Sequence, residues 1–543
     1  MNKADEHRLA LCLMKSSPTK ICVPVSVQRT KELPNAIKHA AAVADMIELR
    51  LDYFSEIELA QAIDGLRSLL ASKPCPIILT LRPAESGGAR PISAGDRLLF
   101  RISNSSLVSG DKSADFWDLE HDLAAILHQR QEEGNDVVGW RICDWERTIS
   151  SYHDFVGVPS DLDQIYERMA ATPARVLKIA VQAGDATDCL PIFHLLERAQ
   201  DAGREMIAIA MGPAGIMTRI LGPSRGSFLT YGSLDDESAT APGQLTAREL
   251  REVYRIDSID QQTKIFGIIG KPVGHSLSPQ MHNAAFAAGR VNAVYLSFEV
   301  GDAVQFISRM VHTRSRELDW NLRGLSVTAP HKSVVMDHLD WIEPAAKQIG
   351  AVNTILIQED ALQGYNTDAA GFIAPLRRKF GSLRGTRCAI VGAGGGARAA
   401  LWALRNEGAR VSLFVRDPDK ARELSEEFEV DTELASGASF AGFDIVVNAT
   451  PLGTRGVREH ETVATVDQLG GVRLAYDLVY NPLETQFLRA ARAAGSETLG
   501  GIEMLVAQAV EQFKIWIGND PDVDVMRATA LRALEQPGLE FKP

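Results

Sequence analysis

The chain has 543 residues, which is too long for one ordinary domain and predicts two large domains or three to four modest ones. It carries 57 Lys and Arg against 70 Asp and Glu, and a net charge of −13 argues against general binding to nucleic acids or anionic membranes. With 45% hydrophobic and 23% charged residues, the composition is that of an ordinary globular protein and excludes a mainly disordered one.

The N-terminal sequence and the cysteines indicate a cellular compartment. Charged residues precede only a short apolar run at the start, and no stretch approaches the roughly 20 apolar residues of a membrane span. The six cysteines show no CxxC or CxxH spacing, so we expect reduced, buried thiols rather than a zinc site or disulfides. The sequence therefore predicts a cytoplasmic protein without a metal.

Short apolar runs with strand character recur through the first 235 residues, separated mostly by helical or polar stretches. Such an alternation predicts an α/β fold, and eight runs predict a (β/α)8 barrel, although any single run could equally be a buried helix segment. The runs are 21–27, 46–52, 76–82, 116–122, 148–155, 175–182, 206–212 and 227–232.

Charged side chains interrupt several of these otherwise apolar runs. They are Glu48, Arg50, Arg82, Asp118, Glu120, His153 and Lys178. A strand of a parallel barrel is buried on both faces, so a charge there must be paired or must reach the open carboxyl-terminal mouth, where barrel enzymes keep their active sites. The concentration of charges predicts a site at that mouth.

Lys178 and His153 lie on consecutive predicted strands. Burial favours a neutral amine, whose lone pair can attack a ketone and form an imine, and a histidine beside that imine can transfer a proton. Taken alone, Lys178 could instead be a salt-bridged lysine, and His153 a hydrogen-bonded core residue.

Six motifs in order make the first half resemble the type I 3-dehydroquinate dehydratase family. They are ELRLD, TLR followed by GG, SYHDF, LKIA, AGIMTR and APGQ, between Ile21 and Gln244. The resemblance implies that Lys178 forms the imine, that His153 transfers the proton, and that Asp118 orients His153. It also implies a substrate pocket formed by Glu48, Arg50, Arg82, Arg219, Thr240 and Gln244.

Two positions depart from the pattern of that family. The glutamate that usually precedes the paired glycines of the mobile lid is Ser86 here, and Glu85 stands one residue earlier. The serine that usually precedes APGQ is Thr240, which keeps the hydroxyl group. Closure of the lid and substrate affinity are therefore the properties that the sequence leaves open.

A change of pattern between Thr240 and Gln262 predicts a domain boundary near 258–263. A new unit then opens with a strand in KIFGIIG, followed by strands at 293–300, 322–330 and 353–358. From Arg384 the order of strand, glycine turn, helix and strand is that of a dinucleotide-binding βαβ unit. We expect domains at 1–257, 263–375 and 376–543.

The glycine turn VGAGGGARAA contains Gly392, Gly394 and Gly396, which let the backbone approach a pyrophosphate at the start of the following helix. The next strand ends at Arg416 and Asp417. An arginine there accommodates the extra phosphate of NADP, whereas an acidic residue binds the ribose of NAD. Arg416 comes first after the strand, so we favour NADP over NAD.

Upstream of the glycine turn, the chain offers a Lys and an Asp that could donate a proton to a reduced ketone. These residues, together with NATPLGT, YDLVYNP and GIEMLVAQA, resemble the shikimate dehydrogenase family from about Lys264 to Gly518. The resemblance implies a substrate-binding domain followed by a Rossmann-type NADP-binding domain, whose C-terminal helices return to the substrate-binding domain. It implies catalysis by Lys332 and Asp368, substrate contacts at Ser276, Ser278, Thr328, Asn353, Tyr480 and Gln508, and cofactor contacts at Gly392, Gly394, Gly396, Arg416 and Thr450.

The product of the first family, 3-dehydroshikimate, is the substrate of the second. The resemblance therefore implies two consecutive steps with small-molecule substrates: dehydration of 3-dehydroquinate and NADPH-dependent reduction of 3-dehydroshikimate to shikimate. Two alternatives stay open: a NAD-dependent quinate/shikimate dehydrogenase in the second half, or a non-catalytic quinate-pathway sensor. Oligomeric state and substrate channelling cannot be deduced from the sequence.

Overall fold

The computed structural model describes residues 19–107, 112–133, 143–235, 237–238, 240–456 and 458–535. Their contacts divide the chain into two units, one ending at Gln262 and the other beginning at Thr263. In the described part of the chain, no helix is both long and apolar enough to cross a membrane.

The first unit is built on one sheet of eight parallel strands. The order β7-β6-β5-β4-β3-β2-β1-β8 brings consecutive strands side by side, and a bridge between Met206 and Ser227 nearly closes the sheet into a barrel. The strands are β1 (Ile21–Val25), β2 (Met46–Arg50), β3 (Ile77–Thr80), β4 (Phe116–Glu120), β5 (Thr148–Asp154), β6 (Val176–Gln182), β7 (Glu205–Met211) and β8 (Thr230–Tyr231). The predicted barrel with its eight strands is confirmed.

Helices connect these strands, as a parallel sheet requires. They are α1 (Leu33–Ala41), α2 (Glu56–Leu70), α3 (Ala94–Ser103), α4 (His121–Glu132), α5 (Leu162–Ala170), α6 (Leu190–Asp201), α7 (Ile216–Leu221) and, after β8, α8 (Ala247–Glu252).

The inside of the barrel changes from apolar to polar along the strands. Residues at the start of five strands form part of one buried apolar cluster, namely Met46, Ile78, Phe116, Ile149 and Val176. Side chains two positions apart on a strand share a face. The next residues on that face are Glu48, Thr80, Asp118, Ser151 and Lys178, all buried. The apolar layer closes the amino-terminal end, and the polar layer lies toward the carboxyl-terminal mouth.

The second unit begins with a mixed sheet of order β10-β9-β11-β13-β14-β12. Its strands are β9 (Lys264–Gly270), β10 (Ala293–Glu299), β11 (Leu322–Val327), β12 (Trp341–Ile342), β13 (Thr354–Gln358) and β14 (Ala361–Tyr365). The helices in this part are α9 (Ser278–Ala288), α10 (Ala303–Phe306) and α11 (Pro344–Ile349), and α12 (Thr367–Phe380) leads to the next sheet.

The last sheet is parallel throughout and has the order β17-β16-β15-β18-β19-β20. Numbered from its first strand, this is the 3-2-1-4-5-6 order of a Rossmann fold, whose ligand crevice lies where the order reverses, between β15 and β18. Its strands are β15 (Arg387–Val391), β16 (Arg410–Val415), β17 (Asp431–Leu434), β18 (Ile445–Asn448), β19 (Leu474–Asp477) and β20 (Glu497–Leu499).

The helices that flank this sheet are α13 (Gly395–Asn406), α14 (Arg422–Phe428) and α15 (Gln486–Ala493). The last two helices, α16 (Gly501–Ile517) and α17 (Val523–Glu535), return to the mixed sheet, because their buried side chains share one apolar cluster with β9, β10 and α9. Two of the second unit's helices, α12 and α16, pack closely because α12 carries a glycine at the contact. A Cβ on Gly371 would lie 2.6 Å from Cβ of Gln508, so no larger residue fits without a shift. The close approach brings Gln508 beside the helix that carries Asp368. This contact packs α16 against the helix that connects the mixed sheet to the parallel sheet.

Candidate functional site

Lys178 is the centre of the charged layer in the barrel. Its side chain is 4% exposed, and Nζ donates hydrogen bonds to Asp118 Oδ2 at 2.8 Å and to the Tyr231 hydroxyl at 2.9 Å. Glu48 Oε1 lies 3.8 Å away. Two carboxylates and a phenol hydroxyl therefore surround the buried amine. The lysine is salt-bridged, as one interpretation of the sequence had it, and it also faces the barrel interior, as imine chemistry requires.

Asp118 joins the lysine to the neighbouring strands. Its Oδ2 accepts a hydrogen bond from Arg82 at 2.8 Å, and its Oδ1 accepts one from the Ser151 hydroxyl at 2.5 Å. Although burial opposes ionisation, Lys178 and Arg82 hold the pKa of Asp118 well below its usual range. Asp118 is thus an anion that fixes Lys178 rather than a proton donor.

His153 has a different carboxylate neighbour from the one expected. Its Nδ1 lies 3.4 Å from Oε2 of Glu120, whose Oε1 accepts a hydrogen bond from Arg82 Nε at 3.1 Å. No hydrogen bond or ion pair between described residues joins His153 to Asp118, so the expected pairing with Asp118 is corrected to Glu120. The reason lies in position along β4: Asp118 is already bonded to Lys178 and Arg82, whereas Glu120 is the last residue of the strand, two positions nearer the mouth.

The histidine is held in its neutral form. Burial, reinforced by the charge of Arg82, lowers the pKa of His153 to about 4, and the opposing effect of Glu120 is too small to reverse this. A neutral imidazole can accept a proton at neutral pH. His153 is therefore in the state that a general base needs.

The two other arginines of the predicted pocket differ in their partners. Arg50 forms a two-pronged pair with Asp52, at 3.0 and 2.8 Å, and also donates to the Gly87 carbonyl at 3.1 Å. Arg219 is buried, and no carboxylate in the described ranges pairs with its guanidinium. Burial lowers the pKa of Arg219 to about 10. An uncompensated buried arginine suits a carboxylate of a ligand.

The lid loop, residues 83–90, follows closely on β3 and contacts the pair of Arg50 and Asp52. Asp52 Oδ2 accepts a hydrogen bond from the Ala89 backbone at 3.0 Å, so it binds both Arg50 and the loop. Gly87 has φ +85°, a conformation that favours glycine. Ser86 is partly buried, whereas Glu85 is exposed.

Two further residues of the predicted substrate pocket bind each other. Gln244 accepts a hydrogen bond from the Thr240 backbone at 2.9 Å. Both follow β8 and are partly buried. The contact fixes the segment that carries the predicted glutamine.

In the second unit, Lys332 lies in the loop after β11, Asn353 lies directly before β13, and Asp368 lies in the first turn of α12. The three side chains come together. Lys332 Nζ donates to Asp368 Oδ2 at 2.5 Å, and Asn353 Nδ2 donates to Asp368 Oδ1 at 2.8 Å. The Lys332 side chain is 23% exposed and that of Asp368 is 10% exposed. The pair can therefore exchange a proton with a bound molecule while remaining hydrogen-bonded.

The other predicted substrate contacts lie on separate elements around this pair. Ser276 precedes α9 and accepts a hydrogen bond from the backbone of Ser278 at 3.2 Å, and Thr328 follows β11. Tyr480 follows β19, and Gln508 lies on α16. Within the described ranges, no hydrogen bond or ion pair connects these side chains to Lys332 or Asp368, so a shared role requires a ligand between them.

The glycine turn after β15 fits a dinucleotide. Gly392 has φ +115°, and a Cβ there would lie 2.9 Å from the Ala449 carbonyl oxygen and from Thr450 Cγ2. A Cβ on Gly394 would meet nothing within 4 Å, and no side chain caps the amino terminus of α13. The free backbone N–H groups of that helix end face open space that a pyrophosphate can fill.

Two further residues bound this turn. Arg416 follows β16 directly and is exposed, and no described side chain forms an ion pair with it, so its guanidinium is available to a phosphate. A Cβ on Gly395 would lie 3.5 Å from Cδ of Lys332, which brings the predicted catalytic lysine to the edge of the cofactor site.

Two residues in these sites were not singled out from the sequence, and a third was singled out without its role. Asp52 follows Arg50 by two positions, so the period of a strand could have revealed it. Glu120 was predicted as one of the charges at the barrel mouth but not as the partner of His153. Tyr231 at Lys178 gave no such signal, because its strand has only two residues. No group of three or more His, Cys, Asp or Glu in the described ranges could hold a metal ion.

Comparison with known families agrees with this division of the chain. Residues 21–261 match the family described as type I 3-dehydroquinase. Residues 268–355 match the shikimate dehydrogenase substrate binding domain, and residues 501–531 match the shikimate 5'-dehydrogenase C-terminal domain.

Individual relatives cover either the whole chain or its second half. A protein of Arabidopsis thaliana named bifunctional 3-dehydroquinate dehydratase/shikimate dehydrogenase, chloroplastic, is 32% identical over 525 residues, 92% of this chain and 82% of its own. The shikimate dehydrogenase (NADP(+)) of Carboxydothermus hydrogenoformans is 39% identical over 276 residues, 50% of this chain and 97% of its own. A solved shikimate 5-dehydrogenase from Thermus thermophilus, in complex with NADP(H) and shikimate, is 35% identical with a TM-score of 0.45, covering 50% of this chain and 99% of its own.

Proposed function

The chain belongs to the family of bifunctional 3-dehydroquinate dehydratase/shikimate dehydrogenases, and from this premise we propose that it performs two consecutive reactions. The barrel dehydrates 3-dehydroquinate to 3-dehydroshikimate through an imine. The second unit reduces 3-dehydroshikimate to shikimate with NADPH.

In the barrel, Lys178 is the nucleophile. After giving up a proton, its Nζ attacks the ketone carbon, and loss of the ketone oxygen as water leaves a protonated imine. Asp118 and Tyr231 hold Nζ from two sides at 2.8 and 2.9 Å, so the amine is fixed before the ketone arrives. Two of the three ammonium hydrogens leave with that water and the third stays on the imine nitrogen, which balances the step.

His153 then moves the proton that dehydration requires. Its neutral imidazole takes a proton from the carbon beside the imine, whose positive charge accepts the electron pair. The resulting imidazolium protonates the departing hydroxyl group, which leaves as water, and hydrolysis of the imine restores Lys178. Arg219 binds the substrate carboxylate, because it is a buried arginine of the predicted pocket that has no carboxylate partner among the described residues.

In the second unit, Lys332 supplies the proton and Asp368 holds the lysine in place. When bound, NADPH supplies the hydride that reduces the ketone. The amino-terminal end of α13 and the turn with Gly392, Gly394 and Gly396 would hold its pyrophosphate, while Arg416 would hold the additional phosphate. Lys332 donates a proton to the oxygen that becomes negative as the ketone is reduced. Asp368, itself held by Asn353, keeps the Lys332 amino group in position for this transfer.

The observation that carries the proposal is that one chain holds two lysine–aspartate pairs, each placed as its chemistry requires. Lys178 and Asp118 are buried in a barrel, and Lys332 and Asp368 are partly exposed beside a glycine turn. Small-molecule substrates are the ligands that these two sites would bind. A cytoplasmic location remains part of the proposal, and the relative named chloroplastic makes cell fractionation its test.

A coupled assay tests both reactions together. The purified chain is mixed with 3-dehydroquinate and with NADPH or NADH, and nicotinamide absorbance is followed. Oxidation of NADPH with shikimate as the product supports both steps, because direct reduction of dehydroquinate would give quinate instead. Faster oxidation of NADH, with quinate also accepted, favours a quinate/shikimate dehydrogenase, and no turnover from dehydroquinate or from 3-dehydroshikimate favours a sensor.

A further inference from the structure

Asp477 is a buried carboxylate that neither reaction uses. It ends β19, is 0% exposed, and forms no ion pair with any described cation. Its Oδ1 accepts hydrogen bonds from Asn448 Nδ2 at 2.9 Å and from the Val479 backbone at 3.0 Å. Its Oδ2 accepts one from the Thr485 hydroxyl at 2.5 Å. Burial without a cation raises the pKa of Asp477 to about 6, so the three donors must compensate for the buried charge.

The first donor leads to the cofactor loop, which we define as residues 449–454. Asn448 ends β18 beside Asp477, and its Oδ1 accepts hydrogen bonds from the Thr450 backbone at 3.0 Å and the Thr450 hydroxyl at 2.7 Å. Its Nδ2 also donates to the Leu452 carbonyl at 3.1 Å. The loop packs on the glycine turn, since a Cβ on Gly392 would meet Thr450 at 2.9 Å. Asn448 therefore fixes the wall of the cofactor site.

The other two donors belong to the substrate loop, which we define as residues 478–485. It carries Tyr480 between Val479 and Thr485, the two residues that Asp477 binds. Thr485 also accepts a hydrogen bond from the Leu488 backbone at 3.2 Å and so caps α15. The two loops touch, because a Cβ on Gly453 would lie 3.3 Å from Cβ of Thr485.

We infer that Asp477 is a positioning residue for ketone reduction. Through Asn448 it fixes the cofactor loop, and through Val479 and Thr485 it fixes the substrate loop. Cofactor and substrate are thereby held in the correct position relative to each other. The inference rests on the proposed reduction by the second unit. Asp477 touches neither reactant and acts through Thr450 and Tyr480, whose roles are those predicted from the sequence.

The carboxylate is required because all of its hydrogen-bonding partners are donors. An ionised Asp only accepts hydrogen bonds, whereas an Asn has one acceptor oxygen and an NH₂ group that must itself find an acceptor. In Asp477→Asn, an NH₂ group that faces Thr485 makes that hydroxyl accept instead of donate, and one that faces Asn448 and Val479 opposes two donors. At least one of the two loops therefore has a hydrogen bond to residue 477 lost or reversed without any change in side-chain volume.

The decisive measurement is steady-state reduction of 3-dehydroshikimate by Asp477→Asn in the full chain. Because a displacement of about 1 Å can cost a hundredfold in rate, we expect kcat to fall at least about tenfold and the KM values for NADPH and 3-dehydroshikimate to rise at least about threefold. Dehydratase activity serves as an internal reference. The control is Ser496→Ala, which removes a buried hydroxyl bonded to the Val472 carbonyl at 2.7 Å in the same sheet but in neither loop.

A merely structural role would lower the melting temperature in both variants and leave both sets of KM values unchanged, which would overturn the inference. If Asp477→Asn does not fold, Thr485→Val and Thr485→Ser replace it: only the serine keeps the hydroxyl, so only the valine variant should raise the KM for 3-dehydroshikimate. Equal KM values for those two variants would also overturn the inference. An inactive wild-type chain would instead refute the proposed reduction itself.

Discussion

The two units of this protein hold their proposed catalytic lysines in opposite ways. In the barrel, Lys178 is 4% exposed and lies in a layer of buried carboxylates and arginines held by adjacent strands. In the second unit, Lys332 is 23% exposed and depends on one aspartate, Asp368, on a helix end. In the barrel, adjacent strands of one sheet hold the charged side chains in place. In the second unit, loops bring the charged side chains together.

The difference corresponds to the two reactions. A lysine that must bond covalently to its substrate needs a fixed position and protection from water, and the barrel interior provides both. A lysine that only donates a proton must be reprotonated in every cycle, so partial exposure is useful. The following predictions, from the largest expected effect to the smallest, would break or sharpen this comparison.

Removal of the nucleophile should abolish only the first reaction. We expect Lys178→Ala to lower dehydratase kcat by at least about 10⁴-fold, since no other described amine contacts the same carboxylates. Reduction of 3-dehydroshikimate should stay within about twofold, because Lys178 lies in the other unit. Borohydride trapping followed by mass spectrometry should give a substrate adduct with the wild-type chain alone. Loss of both activities would contradict independent sites.

Removal of the charge on the second pair should have a smaller effect. We expect Asp368→Asn to lower the kcat of ketone reduction by about 10²–10³-fold, the usual contribution of a positioned proton donor. The exposed Asp360→Asn in the same unit is the matched control and should be silent. A kcat for Asp368→Asn that stays close to that of the wild type would show that Lys332 works without its partner.

The pH dependence of dehydration should report the buried histidine. Because burial lowers the pKa of His153 to about 4, the base stays neutral well below the ordinary histidine range, and kcat/KM should begin to fall only near pH 4. At about pH 4.5 the rate should exceed that expected from an ordinary histidine by roughly a hundredfold. The rate falls as the pH is lowered, because the active form of His153 is the deprotonated one. An acidic limb centred near pH ~6.5, the value of an unperturbed histidine, would mean that His153 is not the base or not buried during turnover.

The smallest effect should distinguish the two nicotinamide cofactors. We expect Arg416→Ala to raise the KM for NADPH about tenfold and to change the KM for NADH by less than about twofold, because only NADPH carries the extra phosphate. Asp417→Asn is the paired variant. If it raises the KM for NADH while Arg416→Ala changes nothing, the second unit prefers NAD.

Much of the site was predictable because the residues that the chemistry requires form short, recognisable patterns in the sequence. Charges inside apolar strands, such as Glu48 and Lys178, are rare unless they are used or paired, and glycine turns such as that at Gly392 have few structural alternatives. The pairing of His153 was not predictable, because Asp118 and Glu120 lie on the same face of β4 and either could be its partner. The choice depends on which side chains of other strands reach each carboxylate, such as Lys178 at Asp118, and those contacts are not local information.

By itself, the sequence determined the fold class, the eight strands of the barrel, the glycine turn and the residue types available for each reaction, because these depend on periodicity and short motifs. Only the tertiary structure decided that Glu120 is the partner of His153, that Tyr231 contacts Lys178, and that Asp477 links two loops of the second unit. Each of these contacts joins residues on different strands or loops. Their distances follow from how strands align in three dimensions, which no short stretch of sequence specifies.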